Sequence, residues 1–160
     1  VVGNIPFHLT TPILRRLLTA SGWRQSVLLT QWEVARKRAG VGGGTLMTAQ
    51  AAPWFVFRLH RRVDAGHFRP RPSVDGGILS IQRRNEPLVP VRQRRAYGAF
   101  VRAVFTGRGG TLARIIARSR GVPARAADRA LAAAGVKRGA LPRDLTGEQW
   151  SALWVALPVQ

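Results

Sequence analysis

At 160 residues and 17.5 kDa, with 46% hydrophobic residues, the chain is long enough for one ordinary domain or two small ones and can fill a core. Twenty-six Lys and Arg against seven Asp and Glu leave a net charge of +19, which makes a polyanion the expected partner and argues against small cationic substrates. The absence of cysteine excludes a disulfide scaffold, a zinc finger and a thiolate nucleophile together.

Val1-Val2-Gly3-Asn4 reads as the end of a strand already under way, and an opening on Val rather than Met suggests the continuation of a longer polypeptide. Thr11-Pro12 followed by Ile13, Leu14, Leu17 and Leu18 predicts a helix with Thr11 as N-cap, Pro12 at its first position and Arg15 and Arg16 pointing away from an apolar face. Gly22 is expected to stop it. Ser26 to Gln31 is short and apolar, the pattern of a buried parallel strand, and a short helix is predicted from Trp32 to Ala39. Strand and helix alternate here, as in α/β folds.

Gly40 to Gly44 forms a flexible turn before a helix stub over 46–52 that Pro53 ends. Phe55, Phe57 and Leu59 alternate with Val56, Arg58 and His60, and Gly77 to Arg83 has a similar pattern, so these segments are expected to form a strand pair. Between them, the prolines of His67-Phe68-Arg69-Pro70-Arg71-Pro72-Ser73-Val74-Asp75 predict a stiff extended connection without secondary structure.

Past Glu86-Pro87 the chain becomes rich in Ala and Arg and loses strand patterns, which divides it into an α/β part over 1–86 and an all-α part over 87–160. Tyr97, Phe100, Val101, Val104 and Phe105 mark one amphipathic helix, Leu112, Ile115 and Ile116 a second, and the Ala-rich stretch 123–134 a third. A fourth is predicted from Thr146, with Gln149 in capping-box position and Trp150, Leu153, Trp154 and Leu157 buried. The first part carries thirteen basic and four acidic side chains, net +9, and the second thirteen and three, net +10. Both parts therefore face the same polyanion.

Asn4-Ile5-Pro6-Phe7 is the most informative tetrapeptide. An amide at the carboxyl end of a strand, a proline that fixes the turn and an aromatic ring just beyond can hold a planar base with an exocyclic amine. The longer stretch NIPFHLTTP resembles the catalytic motif of the Erm-type ribosomal RNA adenine-N6 methyltransferases, and the segment from Gln31-Trp32-Glu33-Val34-Ala35-Arg36 to Phe68-Arg69-Pro70-Arg71-Pro72-Ser73-Val74-Asp75 is similar too. With the helical tail, the resemblance covers essentially the whole chain. It implies the C-terminal half of a class I, Rossmann-like methyltransferase sheet domain followed by a small helical RNA-binding domain.

The resemblance further implies that Asn4 and the carbonyl of Ile5 accept hydrogen bonds from the adenine amine, that Pro6 holds that carbonyl, and that Phe7 stacks on the base. Phe68 would supply a second aromatic contact. S-adenosyl-L-methionine would be the methyl donor, bordered by Asn4 and Pro6, and 23S ribosomal RNA the substrate, with macrolide-type antibiotic resistance as the consequence. The family's cofactor loop and acidic residues precede the NIPF motif and do not occur in this sequence. Gly40 to Gly44 cannot stand in, because it follows a helix rather than a strand. The fragment alone is therefore expected to bind the cofactor poorly.

Arg92, Arg94, Arg95, Arg102 and Arg108, with Arg114 and Arg118 at i, i+4 spacing, lie where no acidic residue intervenes between Glu86 and Asp128, and are expected to contact phosphates. Gly107 to Gly110 is read as a flexible loop, and Trp150 and Trp154 as core. His8, His60 and His67 lack ligand spacing, so no metal is expected. No window approaches the roughly 18 apolar residues of a membrane helix, and no secretory leader is evident, which gives a cytoplasmic, monomeric reading. Alternatives are a small-subunit rRNA adenine dimethyltransferase, whose motif usually has Tyr-Asn where Phe7-His8 stand, a non-catalytic basic RNA-binding module, and a DNA adenine methyltransferase.

Overall fold

The computed structural model describes residues 1–157, which form two compact units. The first unit comprises Val1–Gly42 with Phe55–Asn85, and the second comprises Gly43–Trp54 with the described residues from Glu86 on. The division is not a single cut in the chain, since the segment between the two glycine-rich and proline ends of 43–54 belongs with the later helices.

The first unit is built on a four-stranded sheet of order β1 (Val2–Asn4), β2 (Gln25–Gln31), β4 (Gly76–Arg83), β3 (Phe55–Val63). β1 and β2 are parallel because helix α1 (Thr10–Thr19) carries the chain back between them, whereas β4 is antiparallel to both its neighbours. The expectation of a parallel β2 thus holds on one edge only, and the sheet is mixed. Ser26, Leu28 and Thr30 are buried on one face and alternate with half-buried Val27, Leu29 and Gln31 on the other.

Helix α2 (Trp32–Arg38) packs on the Ser26–Thr30 face so closely that a Cβ on Gly77 would lie 2.8 Å from the Ala35 Cβ. Helix α1 starts two residues earlier than Thr11-Pro12 predicts. A 3-10 turn over Phe7–Leu9 leads into it, Leu9 is the N-cap, and Thr10 spends its hydroxyl on the Phe7 carbonyl (3.1 Å) and on Thr30 (2.7 Å). It also ends before Gly22. Ala20 is already extended, and the indole N–H of Trp23 donates to the Leu17 carbonyl at 2.9 Å, satisfying an orphan acceptor of the last turn. At that end of the sheet Trp23 stacks on Phe55 (5.5 Å), and Arg83 lies over both rings while donating to the carbonyls of Trp23 and Ala20.

The second unit contains α3 (Leu46–Ala51), α4 (Arg94–Thr106), α5 (Leu112–Arg120), α6 (Ala124–Ala133) and α7 (Gly147–Ala156). The four predicted late helices are all present, and α3 joins them through a bond from the buried Tyr97 hydroxyl to the Ala49 carbonyl (2.9 Å) and one from Gln50 to the Gly98 carbonyl (2.8 Å). Burial raises the Tyr97 pKa well above its ordinary value. The core is aromatic: Tyr97 meets Trp54 and Trp154 edge-on, and Phe100 packs against Trp150 and Trp154. Arg120 is buried among them, its guanidinium 4.0 Å from the Trp154 ring centre and 4.9 Å from that of Phe100, and it donates to the Trp154 carbonyl at 2.9 Å. The Thr146/Gln149 capping box opens α7 as the sequence predicts.

Candidate active site and basic surface

In the first unit, Asn4 is the last residue of β1 and is exposed, while Ile5 turns its side chain into the core at 4% exposure. The turn that follows is held at three consecutive residues. Ile5 N–H donates to the Leu29 carbonyl (3.0 Å), the Pro6 carbonyl accepts from Leu9 N–H (2.8 Å), and the Phe7 carbonyl accepts from Thr10. A strand end fixed this way presents the Asn4 amide and the half-buried Phe7 ring from a rigid backbone, at the carboxyl end of parallel strands where α/β sheets take ligands.

Register brings Phe68 to the same place. Asn4 pairs with Leu29 on β2, Gln31 pairs with Gly76 on β4, and the Phe68 ring lies on Gly76 beside the tip of Leu29, where a Cβ at Gly76 would stand 3.1 Å from the ring and 3.0 Å from Leu29. Asn4, Leu29 and Phe68 therefore share one sheet face. Residues 68–75 contain no helix or strand, as the prolines predict; a 3-10 turn over Ala65–His67 leads into them and the Arg69–Pro70 peptide is cis. It is tethered by Asp75, whose carboxylate accepts from Ala65 N–H (2.9 Å) and from Arg62 (2.6 Å). The backbone donor first and Arg62 second hold the Asp75 pKa below its ordinary value.

Sequence reasoning missed the partners of Asp75. A bulge places four residues of β3, Leu59 to Arg62, against three of β4, Leu79 to Gly77. The extra residue turns Arg62 onto the Trp32 ring, 5.6 Å from its centre. Arg58, Arg61, Arg69 and Arg71 are also exposed in this unit, and the FRPRP spacing of the last two was the available signal for a basic loop.

In the second unit, Arg92, Arg95, Arg102, Arg108, Arg114 and Arg118 are exposed, as an anion-facing surface requires. Arg95 and Arg102 lie seven residues apart on α4, opposite buried Tyr97, Phe100, Val101 and Val104. Arg94 departs from the row, because its guanidinium packs over Trp54 at 5.2 Å. Arg118 holds the Gly107–Gly110 loop by donating to the carbonyls of Arg108 (2.6 Å) and Gly109 (2.9 Å), so that loop is braced by an arginine. Arg114 and Arg118 line an open cavity of about 520 Å³ with Gly109 and Gly121.

Among the described residues, no helix is long and apolar enough to cross a membrane, and no group of three His, Cys, Asp or Glu could hold a metal ion. Gly40–Gly44 lies between α2 and α3, not after a strand, which agrees with its exclusion as a cofactor loop.

The ribosomal RNA adenine dimethylase family matches residues 1–153. An rRNA adenine N-6-methyltransferase of Corynebacterium diphtheriae is 58% identical over 118 residues, covering 74% of this chain and 47% of the relative. The mycinamicin-resistance protein MyrB of Micromonospora griseorubida is 51% identical over 154 residues, covering 96% and 49%. The crystal structure of the 23S rRNA methyltransferase ErmE superposes with a TM-score of 0.88 at 35% identity, covering 98% of this chain and 64% of that one. The chain spans about half the length of the curated relatives it matches. Its sheet is accordingly the partial Rossmann-like sheet of a methyltransferase, and the chain belongs to the ribosomal RNA adenine dimethylase family.

Proposed function

We propose that the chain is the acceptor-binding half of an enzyme that transfers methyl groups to N6 of one adenine in 23S ribosomal RNA and thereby confers resistance to macrolide-type antibiotics. The observation that carries this reading is the exposed Asn4 amide at the end of β1, on a turn whose backbone is bonded at Ile5, Pro6 and Phe7. Adenine N6 is a weak nucleophile because its lone pair is delocalised into the ring. Hydrogen bonds from N6 to the Asn4 carboxamide oxygen and the Ile5 carbonyl favour a more tetrahedral nitrogen and aim its lone pair outward. Phe7 and Phe68 stack on the extruded base, and stacking of this kind contributes about 1–3 kcal/mol per base. Catalysis on this plan needs position and oriented dipoles rather than a general base.

S-adenosyl-L-methionine supplies the methyl group when bound. Asn4 and Pro6, both exposed at the carboxyl end of β1, would border it. Arg92, Arg95, Arg102, Arg108 and Arg114 contact RNA phosphates. Arg118 does so while bracing the 107–110 loop, and Arg94 contributes from its seat on Trp54. The division of labour assigns catalysis to the first unit and RNA binding to the second, in a cytoplasmic monomer. The large-subunit substrate is supported by the likeness to the 23S rRNA methyltransferase ErmE, and the resistance role by 51% identity to the mycinamicin-resistance protein MyrB, against 33% identity to the small subunit methyltransferase A of Streptomyces coelicolor.

The test is methyl transfer from labelled donor to rRNA by the complete polypeptide that carries these residues. Asn4→Ala should lower the rate by about two orders of magnitude, the range for loss of one oriented transition-state contact, with RNA affinity changed less than about threefold, whereas Phe7→Ala should lower the rate and also weaken RNA binding about fivefold or more through the lost stacking. Undiminished transfer in both variants would refute the site.

A further inference from the structure

We infer that the cavity between Trp32 and Asp75 is a second nucleobase subsite, which takes an amino-bearing base adjacent in the RNA strand to the target adenine. The inference rests on the functional reading above. The cavity measures about 360 Å³, and its lining includes Gln31, Trp32, Glu33, Arg62, Val74 and Asp75. It sits at the rim where β2 ends. Asn4 pairs with Leu29, so Gln31 is one strand over and two residues further along, on the order of 8 Å between Cα atoms. That places the cavity next to the Asn4 turn in the first unit, within reach of a neighbouring nucleotide.

The lining fits a base better than a phosphate. Two of the chain's seven carboxylates, Glu33 and Asp75, border this one cavity in a protein of net charge +19. Glu33 is paired with Arg36 at 3.1 Å and Asp75 with Arg62 and the Ala65 N–H, and the lone pairs that remain on these carboxylates accept from exocyclic amines, while the Gln31 amide offers both a donor and an acceptor. The half-buried Trp32 indole supplies a stacking surface, and the Trp32 backbone N–H is bonded to the Asp75 carbonyl at 2.9 Å, which fixes its place. Arg62 is held against the same ring by its two contacts with Asp75, at 2.6 and 2.5 Å, so the site is rigid before a ligand arrives. Exposed Arg61, Arg69 and Arg71 in the flanking segments can neutralise the backbone of a strand that crosses the rim.

The experiment couples a protein change to an RNA change. The complete polypeptide and its Trp32→Ala and Trp32→Phe variants are titrated with RNA hairpins presenting one acceptor adenine, intact or with an abasic site on its 5′ or 3′ side. For the unaltered protein, an abasic site at one flank should raise Kd about tenfold. Trp32→Ala should bind intact RNA about tenfold more weakly and show no further loss with that abasic RNA, while Trp32→Phe retains most of the affinity. A 2-aminopurine placed at that flank should change its fluorescence on binding to the unaltered protein, a readout independent of how the variants fold. Additive losses at both flanks, or no 2-aminopurine response at either, would overturn the inference. The readouts are of binding, so they separate from the functional reading, which fails instead if the unaltered protein transfers no methyl group to the same RNA.

Discussion

The catalytic proposal turns on Asn4, yet the residues that set its surroundings are glycines and a carboxylate at some distance along the chain. Gly76→Ala would push a methyl group to 3.1 Å from the Phe68 ring and 3.0 Å from Leu29, so it should displace the second stacking ring and reduce methyl transfer at least tenfold while shifting stability by less than about 1 kcal/mol. Gly77→Ala meets Ala35 at 2.8 Å and the Trp32 backbone at 3.1 Å, and should instead destabilise the unit by about 1–3 kcal/mol in denaturant titration. Asp75 has a pKa below its ordinary value in the folded state. Its tether is therefore complete above the ordinary carboxylate range and is lost as pH falls through the lowered value, so proteolytic nicking of the 64–75 segment should rise in that acid window and be raised at neutral pH in Asp75→Asn. The proposed Asn4–Phe7 site is readable in the sequence because its chemistry is concentrated in four consecutive residues. Trp32, Arg62 and Asp75 are not, since they come from three segments and meet only after the β3 bulge has turned Arg62 around.

Elements whose signals are local were the readable ones. The Thr146/Gln149 box opens α7, and Thr146→Ala should lower the stability of the helical unit by about 1 kcal/mol in thermal or urea unfolding. The start of α1 departs from the Thr11-Pro12 pattern where Thr10 bonds Thr30, a partner twenty residues away that no helix-capping pattern encodes. The β3–β4 pair was visible as alternation, but alternation does not say that β4 would insert beside β2 and leave β3 at the edge. Adjacent Gly76 and Gly77 let both faces of β4 be covered closely, one by the Phe68 ring and the other by α2. The α3 segment shows the same limit, because its membership in the helical unit depends on bonds to Tyr97 and Gly98, forty-eight residues on.

Across the whole molecule, arginines of one charge have two distinct duties. Exposed Arg102 and Arg114 should each govern RNA affinity through ion release, so that replacing either with Ala lowers the slope of log Kd against log salt by about 0.7–0.9 without altering stability. Arg120→Ala should do the reverse, because its guanidinium is buried between Phe100 and Trp154 and bonded to a core carbonyl: unfolding comes earlier and the salt slope stays as it was. Net charge points to the proposed RNA interface as a whole but does not sort its members. Strand β1 pairs with β2 alone among the described strands, with Val1 58% and Val2 87% exposed. Its outer edge offers backbone donors and acceptors to any strand that arrives, and in a preparation of these 160 residues the nearest such strand is another copy. Like charge keeps copies apart at low ionic strength and loses its reach as the Debye length shrinks. The salt that loosens RNA would then drive the protein toward self-association, visible as rising light scattering, and the useful working range is the interval between those two effects.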